Sequence, residues 1–277
     1  MQRAVLAVSA CLILAACESL LFHPSPEVTV DPGRFGLAYR EMSIETADGL
    51  ALDAWYLPAE TARDTGCSVL FLHGNAGNMG THLPSAAWLP AAGYSVLLFD
   101  YRGFGRSPGE PSLSGLQRDF DAALRALEAQ PGTASGDVVV FGQSLGGAVA
   151  VTALATSPRR HEVKALVIEG APSSYRGITR EKLAAFWLTW PLQWPLARLM
   201  NDDYRPADAI AEISPTPVLI LHGQADRVVP PRHGEILFDA AEAPKALWRL
   251  EGVRHIAALS EERYRGDLVR FLGRCDA

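Results

Sequence analysis

Five stretches of the chain, residues 69–72, 94–99, 138–141, 165–168 and 218–221, are continuously apolar. A strand with one wet face alternates apolar and polar side chains, so unbroken runs of this length mark strands covered on both sides, as in a parallel sheet sandwiched by helices. Helical patterns at about 83–92, 113–129 and 145–155 lie between them. Two earlier strand-like runs, 37–46 and 50–57, are separated by Ala47-Asp48-Gly49, a turn signal that predicts an antiparallel hairpin. A last strand at 246–250 and a helix from about 261 to 272 close the series. The alternation predicts an α/β fold: a doubly wound, mostly parallel sheet with an N-terminal antiparallel hairpin and helices on both faces. Residues 173–213 interrupt it as one long insertion, a lid candidate. It holds three of the six tryptophans, Trp187, Trp190 and Trp194, interleaved with Pro191 and Pro195. With Leu188, Leu192 and Leu196 these rings are expected either to roof a functional site or to pack onto the sheet.

The first residues follow another pattern. Arg3 precedes an apolar run over 4–16 that is too short to span a bilayer as a helix and has the shape of a signal peptide. The run ends in Leu14-Ala15-Ala16-Cys17, which resembles the lipobox of bacterial lipoproteins, whose Cys is lipidated and becomes the mature N-terminus. That resemblance implies a signal peptide over 1–16, a lipid on Cys17, and attachment to the membrane of a bacterial cell envelope. Glu18 in place of Asp points to the periplasmic side of the outer membrane. Residues 17–34, with Phe22-His23-Pro24-Ser25-Pro26 and Asp31-Pro32-Gly33, read as a tether and lead-in loop. The remainder, 35–277, is long enough for one domain with a sizeable core.

Composition narrows the function. Hydrophobic residues make up 48% and charged residues 20%, as in folded globular proteins, and the net charge of −6 without a Lys/Arg tract gives no reason to bind nucleic acid. The sequence leaves the oligomeric state open.

The chemistry centres on Gly142-Gln143-Ser144-Leu145-Gly146, a G-x-S-x-G directly after an apolar strand and directly before a helix. A strand-to-helix turn this tight needs flanking glycines and holds the Ser side chain out at the strand's C-terminal end, which makes Ser144 the expected nucleophile. A hydroxyl is a weak nucleophile near neutral pH, so a base must take its proton and an acid must hold that base in one tautomer. The chain order of such sites is Ser, acid, His. His255, between the last strand and last helix, is the expected base; His222 reads as a structural strand-end residue and His233 as part of a helix start. Asp226, just past the strand 218–221, is the expected acid, with Glu169 at the preceding strand end as its competitor. Asp100 precedes the serine and reads as structural, with Arg102 as its partner. The oxyanion hole is expected from the backbone N–H groups of Leu145 and Asn75, the latter in the small-residue loop His73-Gly74-Asn75-Ala76-Gly77-Asn78. The His73 ring reads as packing under that loop.

Together, His73-Gly-Asn-Ala-Gly-Asn78, Phe99-Asp-Tyr-Arg-Gly-Phe-Gly-Arg-Ser107, Gly142-Gln-Ser-Leu-Gly-Gly147 and His222-Gly-Gln-Ala-Asp226 resemble the α/β-hydrolases with a serine-aminopeptidase-like (Hydrolase_4) domain. The likeness runs from about Tyr39 to Leu272 and is similar to acyl-protein thioesterases and lysophospholipases. Arg254 departs from it, standing where relatives often have a small residue before the His. The resemblance implies cleavage of a small acyl ester or thioester through an acyl-enzyme intermediate. No metal or organic cofactor is expected, since H-E-x-x-H, paired C-x-x-C and G-x-x-x-x-G-K are all missing. Two alternatives stand beside this: an amidase or aminopeptidase, with Glu169, Asp202 or Asp203 receiving the amino group, and a lipid-anchored, non-catalytic binding protein. Cys67 at a strand start and Cys275 after the last helix are both expected at the sheet edge opposite the site, as a disulfide or as two free thiols.

Overall fold

The computed structural model describes residues 21–133 and 136–273. A two-residue strand β1 (His23–Pro24) precedes the hairpin of β2 (Arg40–Glu45) and β3 (Ala51–Leu57). Then follow β4 (Ser68–Leu72), β5 (Ala76–Gly77), α1 (Met79–Ala86), β6 (Ser95–Phe99), α2 (Leu113–Glu128), β7 (Val138–Gln143), α3 (Leu145–Thr156) and β8 (Val163–Glu169). The insertion contributes α4 (Tyr175–Ala184), α5 (Gln193–Ala197) and α6 (Pro206–Ala209), after which come β9 (Val218–Gly223), α7 (Arg232–Ala240), β10 (Lys245–Leu250) and α8 (Glu262–Leu272). Eight strands form one sheet in the order β10-β9-β8-β7-β4-β6-β3-β2. All pairs from β10 to β6 are parallel, and β3 runs antiparallel to both β6 and β2.

The unbroken apolar runs are explained by two cores. Along β4, Leu70 and Leu72 point into one, and Val69 and Phe71 into the other. The first core is roofed by α2, α3 and α7, through residues such as Phe120, Val151 and Leu237, and the second by α1 and α8, through Leu83 and Leu268. Every residue of α3 from Leu145 to Ala155 is buried, as befits a helix that is apolar on all sides.

Several elements differ from the sequence expectation. The helix expected at 83–92 begins at Met79 and ends at Ala86, because Asn78 and Thr81 form a capping box: the Asn78 side chain accepts from the Gly80 and Thr81 N–H groups, and the Asn78 N–H donates to Thr81 Oγ1. Arg102 does not pair with Asp100. Its guanidinium grips Asp119 on α2 and Asp48 in the β2–β3 turn, tying the hairpin to the helix layer, while Asp100 accepts the Met79 N–H at 2.6 Å and faces the buried His73 ring at 3.3 Å. The lead-in is in contact with the domain from its first described residues. Phe22 is buried in the first core, and β1 pairs with β5.

Cys67, buried at the start of β4, is disulfide-bonded. The remaining cysteines, Cys11, Cys17 and Cys275, lie outside the described residues, so its partner does too. The Tyr94 hydroxyl donates to the Gly273 carbonyl at 2.9 Å, and the Ser95 N–H donates to the Cys67 carbonyl at 3.2 Å. The described end of the chain therefore lies at the Cys67 edge of the sheet.

Candidate active site

β4 and β7 are neighbours at the centre of the sheet, and from β4 the chain departs to β6 on one side and later returns to β7 on the other. This reversal leaves a crevice at the C-terminal strand ends, where ligands bind in open α/β sheets. Ser144 sits there between β7 and α3 with φ 52° and ψ −115°. Such a conformation costs a non-glycine residue about 1–3 kcal/mol. Burial of Val149, Val151 and Leu154 on α3, each contributing about 1.5–3 kcal/mol, outweighs that strain. The elbow glycines are forced by space: a Cβ on Gly146 would lie 2.2 Å from the Leu72 carbonyl oxygen, and one on Gly142 would lie 2.4 Å from that of Gly146.

His255 Nε2 lies 3.1 Å from Ser144 Oγ, and His255 Nδ1 lies 2.7 Å from Asp226 Oδ2. The buried Asp226 also accepts the Val228 and Val229 N–H groups on Oδ1, at 2.8 and 2.9 Å. Burial works to raise this carboxyl's pKa, but the hydrogen bond and charge of His255 and the two backbone N–H groups hold it below the usual range. A carboxylate on Nδ1 leaves the proton there and Nε2 free to accept from the serine hydroxyl. The three residues expected from the sequence are thus joined in one hydrogen-bonded chain.

Glu169, the competing acid, does another job. One oxygen accepts the Gln143 amide at 2.7 Å, and the other accepts the Ala258 N–H at 2.8 Å, three residues past His255. Its full burial raises its pKa. It braces the His255 loop against the elbow strand without a hydrogen bond to the imidazole. Gly170 follows at φ +61°, and a Cβ there would come within 3.2 Å of His255 Nδ1 and 3.3 Å of Asp226 Oδ2. His222 has its Nε2 2.9 Å from the Val229 carbonyl oxygen, the geometry of an Nε2–H donor, and so steadies the Asp226 turn. His233 accepts from the Ser173 N–H at 3.1 Å and faces Glu181 on α4, linking the insertion to α7.

Three histidines carry a pH consequence. Loss of water lowers the pKa of His222 and His233, and loss of water followed by the neighbouring His73 pushes His82 down to about 4. The unfolded rings take up protons near pH 6.5 while the folded rings resist, so their contribution is complete above that pH and is lost as pH falls toward 4. Buried carboxyls with raised pKa values, Glu169 among them, act in the opposite direction, so the His82 share is read by difference: between pH 7 and pH 5 the melting temperature of His82→Gln is expected to fall less, or rise more, than that of the wild type. Parallel profiles of the two proteins over this range would contradict the burial account.

Ser144 and Leu145 open onto a cavity of about 640 Å³. Its insertion side is Ile178 and Leu183 of α4 with Leu196, Leu199 and Met200. Lys182 also lines it, while no carboxylate does among the described residues. Glu169 is occupied as above, Asp202 caps α4 through Ser174 Oγ and the Arg176 N–H, and Asp203 lies outside the lining. Trp187, Trp190 and Trp194 neither roof the site nor pack onto the sheet. They are 78%, 60% and 57% exposed, because α4 and the Leu196–Met200 turn already cover the cavity. Asn75 borders it beside Leu145, held by two bonds to the lead-in: its amide donates to the Leu21 carbonyl at 2.5 Å and its oxygen accepts the His23 N–H at 3.3 Å. Leu21 and His23, assigned to a tether from sequence, therefore line the cavity too. Only the apolar pair Leu21-Phe22 inside a proline-rich stretch hinted at it. Among the described residues no group of three or more His, Cys, Asp or Glu side chains is placed to hold a metal ion.

A doubly wound sheet with a strained serine at the turn from its central strand into a buried helix defines an α/β-hydrolase. The family model Hydrolase_4, serine aminopeptidase S33, matches residues 64–199. The uncharacterized protein YfhR of Escherichia coli K12 is 34% identical over 230 residues, covering 81% of this chain and 77% of that protein. The alpha/beta hydrolase domain-containing protein WAV2 of Arabidopsis thaliana is 32% identical over 243 residues, covering 84% and 78%. Among solved structures, the Pyrococcus furiosus esterase Pf2001 aligns with TM-score 0.74 at 20% identity over 91% of this chain and 97% of that one. The chain belongs to the α/β-hydrolases that carry the serine aminopeptidase S33 (Hydrolase_4) domain, a family of hydrolase-type enzymes.

Proposed function

We propose that the protein is a serine hydrolase that cleaves esters or thioesters of an apolar acyl group, with Ser144 as nucleophile, His255 as general base and acid, and Asp226 as the residue that orients and charges-balances His255. The observation that carries this reading is the hydrogen-bonded chain from Asp226 through His255 to Ser144 at the mouth of the apolar cavity. Ser144 Oγ attacks the acyl carbonyl carbon as its proton passes to His255 Nε2. The oxyanion is held by the backbone N–H groups of Leu145, which as the first residue of α3 has no intrahelical acceptor, and of Asn75. Collapse of the intermediate expels the alkoxide or thiolate, which takes the proton from His255. Water then attacks the acyl-enzyme by the same route, releasing the acid and restoring the serine.

The lining favours this substrate class over an aminoacyl amide, because a free amino terminus calls for a buried carboxylate, and Glu169, Asp202 and Asp203 all lie elsewhere. The insertion serves as the lid and sets acyl length. A panel of acyl esters, acyl thioesters and aminoacyl amides tests the assignment: esters or thioesters with apolar chains are expected to turn over, in wild type and not in Ser144→Ala. Turnover of aminoacyl amides alone would overturn it. Ile178→Trp, which fills part of the cavity, is expected to shift preference toward shorter chains, whereas Trp190→Ala is expected to leave chain-length preference unchanged.

We retain the lipid anchor on Cys17 in the same proposal, with the domain on the periplasmic face of the outer membrane. Palmitate labelling lost in Cys17→Ser is the corresponding test.

A further inference from the structure

The outer surface of the insertion has no role in the mechanism above. From residue 183 to residue 197 the chain carries no charged side chain, and Phe186, Trp187, Leu188, Trp190, Leu192 and Trp194 are each more than half exposed. Scattered exposed apolar residues are ordinary, but this many in one short segment form a contact surface. Its composition selects the partner. Tryptophan, with an apolar ring and an N–H, favours the headgroup boundary of a bilayer.

Charge points the same way. Arg176, Arg180 and Arg198 form no ion pair with a carboxylate among the described residues, and of the acids beside this stretch Glu181 is taken up by Arg232 and His233 and Asp202 by Ser174 Oγ and the Arg176 N–H. The Arg180 guanidinium lies over the Trp194 ring at 4.5 Å. A chain with net charge −6 thus presents a locally cationic, aromatic surface, the combination that fits anionic lipid headgroups.

The patch is also continuous with the cavity mouth, since Leu196 and Leu199 both line the cavity and reach solvent. Leu21 lines the same cavity, and Cys17 precedes it by four residues, a span of at most about 14 Å.

We propose that the aromatic face of the insertion docks on a phospholipid bilayer containing anionic headgroups, turning the cavity mouth to the membrane so that the acyl chain of a lipid ester passes into the cavity directly from the bilayer. The choice of lipid ester as substrate rests on the hydrolase reading; the docking itself does not. This surface adds a second attachment beside the Cys17 lipid and fixes the orientation of the cavity mouth, which a tether alone does not.

The test uses the full-length protein on vesicles of phosphatidylcholine and phosphatidylglycerol with brominated acyl chains, which quench nearby tryptophan. Wild-type emission is expected to fall. In the variant combining Trp187→Ala, Trp190→Ala and Trp194→Ala, the remaining Trp55, Trp88 and Trp248 are expected to be spared. These three side chains are surface-exposed, so folding is expected to persist, with short-chain soluble esters turned over at the wild-type rate. Turnover of a long-chain acyl ester embedded in the vesicles is expected to fall about tenfold. Wild-type emission untouched by bromine, or equal quenching in the variant, overturns the docking face. So does a wild-type dimer that the variant converts to a monomer without any quenching, which assigns the face to a second copy of the chain. If no ester of any kind is cleaved, the hydrolase reading falls, and the quenching still decides the docking face.

Discussion

Ser144→Ala is expected to lower turnover of every cleavable ester or thioester by about four orders of magnitude or more, and to abolish covalent labelling by a fluorophosphonate. Only Oγ is removed. The turn that holds position 144 at φ 52° is set by Gly142, Gly146 and the burial of α3, none of which the substitution touches. The free energy of unfolding is therefore expected to stay within the range of a neutral change, about 0.5 kcal/mol, and the melting temperature with it. A folded Ser144→Ala protein that still reacts with the probe would place the nucleophile elsewhere.

Asp226→Asn is expected to cost nearly as much, about 10⁴-fold in kcat, because an amide at this position removes the charge that balances the imidazolium and lets the ring settle in the wrong tautomer. The carboxylate accepts from His255, Val228 and Val229 at once, so an amide nitrogen turned toward any of them also faces a donor. Glu169→Gln provides the contrast. Its partners are the Gln143 amide and the Ala258 N–H, so the change loosens the His255 loop without touching the imidazole. A lowered melting temperature and a loss of less than about a hundredfold are expected, since the effect reaches the chemistry only through loop position. Kinetics of the two variants side by side decide between them, and the reverse ranking would make Glu169 the acid.

The difference between these acids shows how far the sequence could be read. Both stand at strand ends and both fall between Ser144 and His255 in the chain, so order alone ranks them without separating what they do. Separation comes from the turn after β9, which brings the Val228 and Val229 N–H groups to Asp226 Oδ1 and aims Oδ2 at the ring. Glu169 is aimed instead at a backbone group beyond His255. The same holds for Arg102, whose neighbour in sequence is Asp100 but whose partners in space are Asp48 and Asp119.

What the sequence by itself determined is everything governed by local pattern. Unbroken apolar runs of four to six residues between turn signals read as doubly covered strands, and a G-x-S-x-G between strand and helix has few backbone solutions, so sheet type and the placing of Ser144 followed from neighbours along the chain. The tertiary structure alone decided which faces meet. Trp187, Trp190 and Trp194 have the composition of a core and stand in solvent, because Ile178, Leu183, Leu196 and Leu199 already occupy the cavity wall. Leu21 and His23 sit in a proline-rich stretch that reads as a tether, yet they line the cavity because Asn75 holds their backbone. At these positions burial depends on the space left by other elements, which their own neighbours along the chain do not encode.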